Sequence, residues 1–290
     1  MSESPISALS QISATLLIPL YFRALESKEA APIVFDPQAS SIVQRLDFDF
    51  SRLKFDSKDR VFSMMRCRQF DRWAEEFLSV NQNCSVVEIG CGLSDRQSRL
   101  KASPATWYNL DLPEVMAIRR ELIGDHDRSQ FISGSAFDPA SLEQIKLAPG
   151  EKCLFLAEGV LVYFPEAEVK GLLSMLKEHF PGCEIIFDAL SPFMIALHKA
   201  GSRLKAATAQ LRWGLKDEAD LERWGSGIQL LGSWCYFDQP EPRLGWTSLM
   251  RFIPPLAKGS LVLRYRLGIE GDDAVQWSPS DTIEAAPVQR

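Results

Sequence analysis

Histidine is scarce in this chain of 290 residues, which contains only three: His126, His179 and His198. They do not have the spacing of metal ligands, so neither a zinc site nor a histidine-based catalytic triad is expected. The six cysteines include no Cys-x-x-Cys pair and lie mostly in apolar stretches. We therefore interpret them as buried free thiols.

A basic surface and a long apolar run are also missing. The chain has 32 Lys and Arg against 38 Asp and Glu, a net charge of -6. This balance argues against binding to nucleic acid and favours a small-molecule partner. The apolar run at residues 14–22 is interrupted by Pro19, and no basic segment precedes it. We expect no signal peptide, no membrane span and a cytoplasmic protein.

The composition that is present, 46% hydrophobic and 24% charged residues, is ordinary for a folded globular protein. Residues 1–80 have a helical pattern and are predicted to form an N-terminal cap. Residues 81–268 are predicted to form the core, with a helical insertion near 191–225. Residues 269–290 are predicted to be a flexible tail.

Short apolar runs alternate with helical patterns from Ser85 onward. Strands are predicted at 85–89, 106–110, 130–133, 152–157 and 184–187. Helices are predicted at 94–101, 113–123, 139–145 and 165–179, with Pro165 at the first helical position. This alternation predicts a parallel sheet built from βαβ units. Two further strands, at about 229–237 and 260–267, would add an antiparallel edge pair.

The segment SVVEIGCGLSDR places Glu88, Gly90 and Gly92 where a predicted strand runs into a helix. Glycines allow a tight turn and close approach of a ligand, and a helix start offers free N–H groups. A strand-to-helix turn that binds nothing is the alternative for this motif.

Asp111 lies 21 residues after Gly90, at the end of the next predicted strand. Doubly wound folds place an acid here to accept hydrogen bonds from ribose hydroxyls. The pair indicates a bound nucleoside, although Asp111 could also cap the helix that starts at Pro113.

The residues after the glycines favour a methyl donor over NAD. A dinucleotide fingerprint has a third glycine, whereas this chain has Asp95 there, and an acid opposes a pyrophosphate. Glu88, just before the glycines, suits the cationic methionine end of S-adenosylmethionine.

Six ordered segments carry a family resemblance: LYFRALES, FDPQA, RCRQFDRWAEEFL, VVEIGCGLSDR, YNLDLPEV and AEGVLVYFPEAEV. With these segments most of the chain resembles the leucine carboxyl methyltransferase superfamily, including the tetracenomycin-type polyketide O-methyltransferases. The resemblance implies an α/β class I methyltransferase fold with a Rossmann-like sheet. It also implies S-adenosyl-L-methionine as cofactor and a hydroxyl or carboxyl acceptor on a polyketide-like or other small metabolite.

The resemblance further implies which residues bind the cofactor. Arg66 or Arg68 would pair with the methionine carboxylate, as a guanidinium fork suits a carboxylate. Glu158 would lie beside the amino group. The remaining implied contacts are Gly90 and Gly92 with methionine and ribose, Asp111 and Leu112 with ribose, and Gly159 beside Glu158.

Two positions depart from the family pattern. Many members carry an acid after the third strand for the adenine amino group, where this chain has Ser135. Adenine recognition would then use the Ser135 hydroxyl, the backbone near Ala136, or Asp138. The family acid after the glycines is displaced by one, which leaves the role of Asp95 open.

The catalytic group and the acceptor site are less determined. Tyr163 is a candidate catalytic residue that would either wall the acceptor pocket or pack beneath it. An aromatic cluster could line a pocket for a flat substrate or belong to the core: Trp224, Trp234, Tyr236, Phe237 and Trp246. The alternative functions are a protein C-terminal carboxyl methyltransferase, an NAD-dependent oxidoreductase, and a non-catalytic S-adenosylmethionine-binding partner protein.

Overall fold

The computed structural model describes residues 14–53, 55–100, 104–124, 126–201 and 211–268. Within them the strands are β1 Cys84–Ile89, β2 Thr106–Asp111, β3 Ser129–Ser133, β4 Lys152–Ala157, β5 Glu184–Leu190, β6 Ile228–Cys235 and β7 Ser260–Leu267. The α-helices are α1 Ala14–Glu26, α2 Pro37–Arg45, α3 Ser57–Val80, α4 Arg96–Arg99, α5 Pro113–Leu122, α6 Pro139–Leu142, α7 Glu166–His179, α8 Pro192–Gly201 and α9 Pro254–Ala257.

The seven strands form one sheet in the order β3-β2-β1-β4-β5-β7-β6. The five strands from β3 to β5 are parallel, and β7 runs antiparallel to both of its neighbours, β5 and β6. The predicted parallel sheet with an antiparallel edge pair is confirmed. In this order the carboxyl ends of β2, β1, β4 and β5 lie side by side, which is where such sheets bind ligands.

Capping acids fix where α2 and α3 begin. Asp36 accepts a hydrogen bond from the Ala39 N–H at the start of α2, where Pro37 takes the first position. At the start of α3, Asp56 and Asp59 form a capping box. These caps set the register of α3, a helix of 24 residues that lies against one face of the sheet.

The core occupies both faces of the sheet. On one face α3 buries apolar residues such as Met65, Phe70 and Phe77 against Val86 and Leu154. The larger cluster on the other face includes residues of α7, β5 and β7. Burial of one such side chain contributes about 1.5–3 kcal/mol, which makes α3 an integral layer of the fold.

Three predicted helices have different limits. The predicted helix 94–101 is the single turn α4, because Leu100 is already extended and ends it. The predicted helix 139–145 ends at Leu142, and Ile145 continues with an i to i−3 bond to the Leu142 carbonyl. Pro165 is the N-cap of α7, one position before the predicted one.

The insertion near 191–225 is only partly helical. It contains α8 and a 3-10 turn at Asp220–Trp224, whereas residues 211–216 have no regular structure. Residues 202–210 and the predicted tail 269–290 lie outside the described residues. None of the described helices is long and apolar enough to cross a lipid bilayer.

Candidate functional site

The glycine turn follows β1 directly. Gly90 and Gly92 have φ angles of +63° and +51°, a region that favours glycine. A Cβ atom on Gly90 would lie 2.6 Å from Cγ2 of Val160, so the turn after β1 packs closely on the loop after β4. The Gly90 N–H donates to the Leu110 carbonyl at 2.8 Å, which joins the turn to the end of β2.

Substituting Gly90 with alanine is expected to weaken binding of S-adenosylhomocysteine by at least about tenfold. The positive φ alone costs roughly 1–2 kcal/mol for an L-residue, and the contact with Val160 displaces the turn further. Gly150→Ala is the matched control, because Gly150 has a φ of +75° but nothing within 4 Å. Calorimetry measures both variants; a Gly90→Ala protein that binds like the wild type would contradict the role of this turn.

Asp111 faces the turn from the end of β2. Its Oδ2 accepts the Gly92 N–H at 2.7 Å, and its Oδ1 accepts the N–H of the half-exposed Leu112 at 2.8 Å. Burial raises the pKa of Asp111, and the two N–H donors oppose that rise. Each oxygen keeps a second lone pair, so the carboxylate can accept further hydrogen bonds.

Arg66 and Arg68 lie on different sides of α3. Arg66 donates to Glu158 at 3.1 Å and to Asp188 at 3.0 Å, at the carboxyl ends of β4 and β5. Arg68 donates to Gln239 at 3.1 Å and lines a cavity of about 220 Å³ beside Phe35. The structure therefore brings Arg66 to the site and leaves Arg68 elsewhere.

Arg96 lies at the centre of the site although no sequence feature singled it out. Its side chain is fully buried and donates to three carboxylates: Asp71 of α3 at 2.6 Å, Glu88 of β1 at 2.6 Å and Glu158 after β4 at 2.5 Å. The sequence interpretation placed Glu88 beside the cationic end of a ligand. In the structure Oε1 of Glu88 accepts from Arg96. Oε2 of Glu88 is buried and has no hydrogen-bond partner among the described residues.

Glu158 is held between two arginines. Burial on its own would raise the pKa of Glu158, but Arg66 and Arg96 outweigh it, and the pKa is lowered. Gly159 follows with a φ of +66° and packs against the Arg66 guanidinium. The carboxylate is therefore ionised at neutral pH and fixed in place.

This shift has a definite sign in pH-dependent stability. Because the folded pKa of Glu158 lies below the unfolded value of about 4.3, its contribution is complete above that value and is lost as pH falls through the folded pKa. We expect the stability difference between wild type and Glu158→Gln to be constant from pH 8 to 5 and to shrink below pH 4. Urea unfolding at each pH measures it; a difference that shrinks near pH 6 would contradict the assignment.

The candidates for adenine recognition follow β3. The Ser135 hydroxyl accepts the Phe137 N–H at 3.2 Å, and Ala136 is buried. Asp138 caps α6 through the Ala140 N–H. The Gly134 N–H donates to the Asp111 carbonyl, so the segment after β3 lies next to Asp111 at the carboxyl edge of the sheet.

Asp95, whose role the sequence left open, lies at the start of α4. It makes no side-chain capping bond, and its Oδ1 is 2.8 Å from Nε2 of His126. Asp95 is buried, and the His126 ring is the neighbouring side chain that the structure places beside its carboxylate.

The proposed aromatic cluster is divided between several places. Trp234 is buried and contacts Tyr236, which also packs on Phe62. Trp224 contacts Trp213 instead. Trp246 is 68% exposed beneath Lys58. These residues do not form one pocket wall; the alternative of core packing fits Trp224, Trp234, Tyr236 and Phe237, and it does not fit the exposed Trp246.

Tyr163 lies in a 3-10 turn at Leu161–Tyr163, directly after the Glu158 loop. Burial raises its pKa, against the charge of Arg66. The hydroxyl of Tyr236 also lies beside Arg66, and burial raises its pKa too. Both phenols therefore stay protonated at neutral pH.

Sequence reasoning missed Arg96 and Asp188, and it named Tyr236 only as a member of the aromatic cluster and not as a neighbour of Arg66. Asp188 had a detectable signal, because it is a single acid inside the apolar strand EIIFDAL. The ion pairs of Arg96 join residues up to 62 positions apart, which no local pattern reveals.

Comparisons with known proteins agree on one family. The sequence model described as leucine carboxyl methyltransferase matches residues 17–177. The chain is 30% identical over 264 residues to the tetracenomycin polyketide synthesis O-methyltransferase TcmP of Streptomyces glaucescens, covering 89% of this chain and 97% of that protein. It is 28% identical to the S-adenosyl-L-methionine-dependent methyltransferase dpfgK of Gibberella zeae, covering 76% of this chain and 81% of that protein.

Two solved structures share the fold. A Thermobifida fusca protein aligns with a TM-score of 0.56 at 14% identity, over 87% of this chain and 95% of its own. A DUF574 family protein of Streptomyces avermitilis aligns with a TM-score of 0.55 at 14% identity, over 89% of this chain and 98% of its own.

Proposed function

Because the chain belongs to the leucine carboxyl methyltransferase family, we propose that it methylates a carboxyl or hydroxyl oxygen of a small molecule. The chain is a methyltransferase and S-adenosylmethionine is its cofactor. This membership removes the NAD-dependent oxidoreductase from the alternatives.

The residues at the strand ends fit this cofactor. The buried, unpartnered Oε2 of Glu88 offers an acceptor beside the glycine turn, next to the network that contains Arg66 and Glu158. Asp111 has free lone pairs for two hydroxyls. The placement of these acceptors along the carboxyl edge of the sheet is the observation that carries the proposal. The amino acid end and the ribose of S-adenosylmethionine need hydrogen-bond acceptors along one such edge.

We assign the binding roles accordingly. Arg66 would take the methionine carboxylate, Glu158 would lie beside the amino group, and Asp111 would hold the ribose. The adjoining residues would complete the pocket: Glu88, Gly90, Gly92, Leu112, Ser135, Ala136 and Gly159. Arg68 no longer belongs to this set, because it donates to Gln239.

When bound, the cofactor would supply a methyl group on a sulfonium: the acceptor oxygen attacks the methyl carbon in line, the carbon–sulfur bond breaks, and S-adenosylhomocysteine is the leaving group. The chain's residues therefore need to align the two reactants and exclude water. The ion pairs of Arg66 and Arg96 hold the Glu158 carboxylate in one position. A carboxylate that is already fixed aligns a ligand at little further cost in conformational entropy.

The surroundings support a carboxyl acceptor over a hydroxyl acceptor. An ionised carboxylate needs no general base, whereas an alcohol or phenol does. His179 and His198 are bonded to carbonyls of their own helices, and His126 lies at Asp95. The phenol of Tyr163 has a raised pKa, which makes it a poor base.

Calorimetry tests cofactor choice first. The wild type is expected to bind S-adenosylhomocysteine and not NADH. If it binds neither, or NADH alone, the proposal fails at this step.

The acceptor class is tested with methyl-labelled S-adenosylmethionine and three probe sets: aromatic carboxylic acids, phenols, and a peptide ending in leucine. Mild alkali releases labelled methanol from an ester but not from an ether. We expect alkali-labile label on the small acids. Label on the peptide alone would favour the protein C-terminal carboxyl methyltransferase, and bound cofactor without any labelled acceptor would favour the non-catalytic alternative.

A further inference from the structure

Asp188 is a carboxylate placed inside an apolar strand. Its neighbours in β5, Phe187 and Ala189, are buried, and Asp188 itself is 7% exposed. Removing a carboxylate from water is costly unless it is paired and hydrogen-bonded. Burial accordingly raises its pKa, against the charge of Arg66 and the Gly159 N–H. Such a position is difficult to explain by packing alone.

The two oxygens of Asp188 have different partners. Oδ2 accepts from Arg66 Nη1 at 3.0 Å, and Oδ1 accepts the Gly159 N–H at 2.5 Å. One carboxylate thus links β5 to α3 and to the loop after β4. Both partners are residues that we assign to the cofactor site.

Asp188 is not the only link between α3 and the loop after β4. Arg96 already joins α3 to the same loop through Asp71 and Glu158, and its side chain is fully buried. The side chains of Asp188 and Arg66 are 10% and 20% exposed, against 0% for Arg96. Together with Glu158 they form a partly exposed outer part of the network, which a ligand can reach.

This outer part carries surplus negative charge. Arg66 is shared by Glu158 and Asp188, so one cation faces two anions. The second oxygen of Glu158 goes to Arg96, which Asp71 and Glu88 already share. A bound amino acid is complementary to this arrangement, because its ammonium group can pair with the surplus carboxylate and its carboxylate can pair with the arginine.

We propose that Asp188 is a further cofactor-binding residue, which receives the ammonium group of the methionine moiety while Arg66 turns to its carboxylate. The inference rests on the proposed function. The exchange replaces one internal ion pair by two pairs with the ligand, so neither Asp188 nor Arg66 is left as an unpaired buried charge. Glu158 keeps its bond to Arg96 throughout.

The test uses two ligands that differ in the methionine end. S-adenosylhomocysteine has the amino acid group, whereas 5′-methylthioadenosine lacks it. Asp188→Asn is expected to weaken binding of S-adenosylhomocysteine by about 10–100-fold, which corresponds to one charged hydrogen bond. Binding of 5′-methylthioadenosine should stay within about twofold of the wild type, because this ligand offers no ammonium group.

Glu166→Gln is the matched control, since it makes the same chemical change in an exposed ion pair with Lys170. It should leave both affinities unchanged. An equal loss of both ligands in Asp188→Asn would show that Asp188 only supports the pocket, and an unchanged affinity for S-adenosylhomocysteine would also overturn the inference. A wild type that binds 5′-methylthioadenosine but not S-adenosylhomocysteine overturns it as well, whereas one that binds neither ligand refutes the proposed function itself.

Discussion

Replacing Arg96 by methionine is expected to destabilise the protein by about 3–5 kcal/mol, because it leaves three carboxylates without their shared cation. Asp71 would keep its pair with Arg99 and Glu158 its pair with Arg66, but the buried Glu88 would lose the cation that neutralises it. Burial of the methionine side chain recovers only a small part of this loss. Urea unfolding at pH 7 measures the change in free energy.

Arg223→Met provides the comparison. Arg223 forms ion pairs with Asp217 and Asp220 in an exposed position, and its loss should change stability far less than the loss of Arg96. Arg96→Lys keeps the charge, but its three N–H donors lie on one nitrogen, whereas Arg96 reaches three carboxylates from three nitrogens of a planar guanidinium, so we expect an intermediate loss. If Arg96→Met were no more harmful than Arg223→Met, the network would not hold these elements together.

The same network shows where sequence reasoning succeeds and where it fails. The central strands β1 and β4 were predictable because each buries both faces and is a short apolar run between turn signals. The parallel direction of the strands follows from their regular alternation with helices. The helical pattern of α3 was equally clear, since its apolar residues recur on one face.

The site was predictable only where a residue is tied to a strand end. Gly90, Asp111 and Glu158 each follow a predicted strand directly, so the topology fixes their place at the carboxyl edge. Arg96 joins the site through pairs between distant segments, whereas Asp188 follows the predicted strand 184–187 directly and was overlooked. A sequence pattern cannot state which acid an arginine will meet, and the choice between Arg66 and Arg68 depended on the rotation of α3.

The wrong predictions have a related cause. The length of α4 was overestimated because its propensity does not reveal that Leu100 turns away into an extended backbone. The aromatic residues were grouped by their closeness in sequence, although Trp224, Trp234 and Trp246 belong to three different elements: a 3-10 turn, β6 and the 3-10 segment Pro242–Phe252. Local periodicity carries no information about either event.

Asp111→Ala is expected to have the largest effect on cofactor binding, a loss of at least about 100-fold in affinity for S-adenosylhomocysteine. A carboxylate that accepts two hydroxyl hydrogen bonds contributes about 3 kcal/mol, and tenfold in affinity corresponds to about 1.4 kcal/mol. The substitution also removes the acceptor of the Gly92 N–H, so the glycine turn loses one of its fixed contacts. Calorimetry with S-adenosylhomocysteine gives the total loss.

The 2′-deoxy analogue of S-adenosylhomocysteine separates these two contributions. If Asp111 holds the sugar, the analogue already lacks one hydroxyl, and Asp111→Ala must then weaken its binding by a smaller factor than it weakens binding of the parent ligand. If Asp111 acts only by fixing Gly92, both ligands lose the same factor, since the turn is disturbed equally in both cases. Equal losses of affinity for the two ligands would therefore contradict ribose binding by Asp111, and its role would be to shape the turn. If Asp111→Ala weakens binding of the parent ligand by more than it weakens binding of the analogue, the ribose lies at the carboxyl end of β2, next to Gly92. This position is one strand away from β1, which carries Glu88 of the Arg96 network.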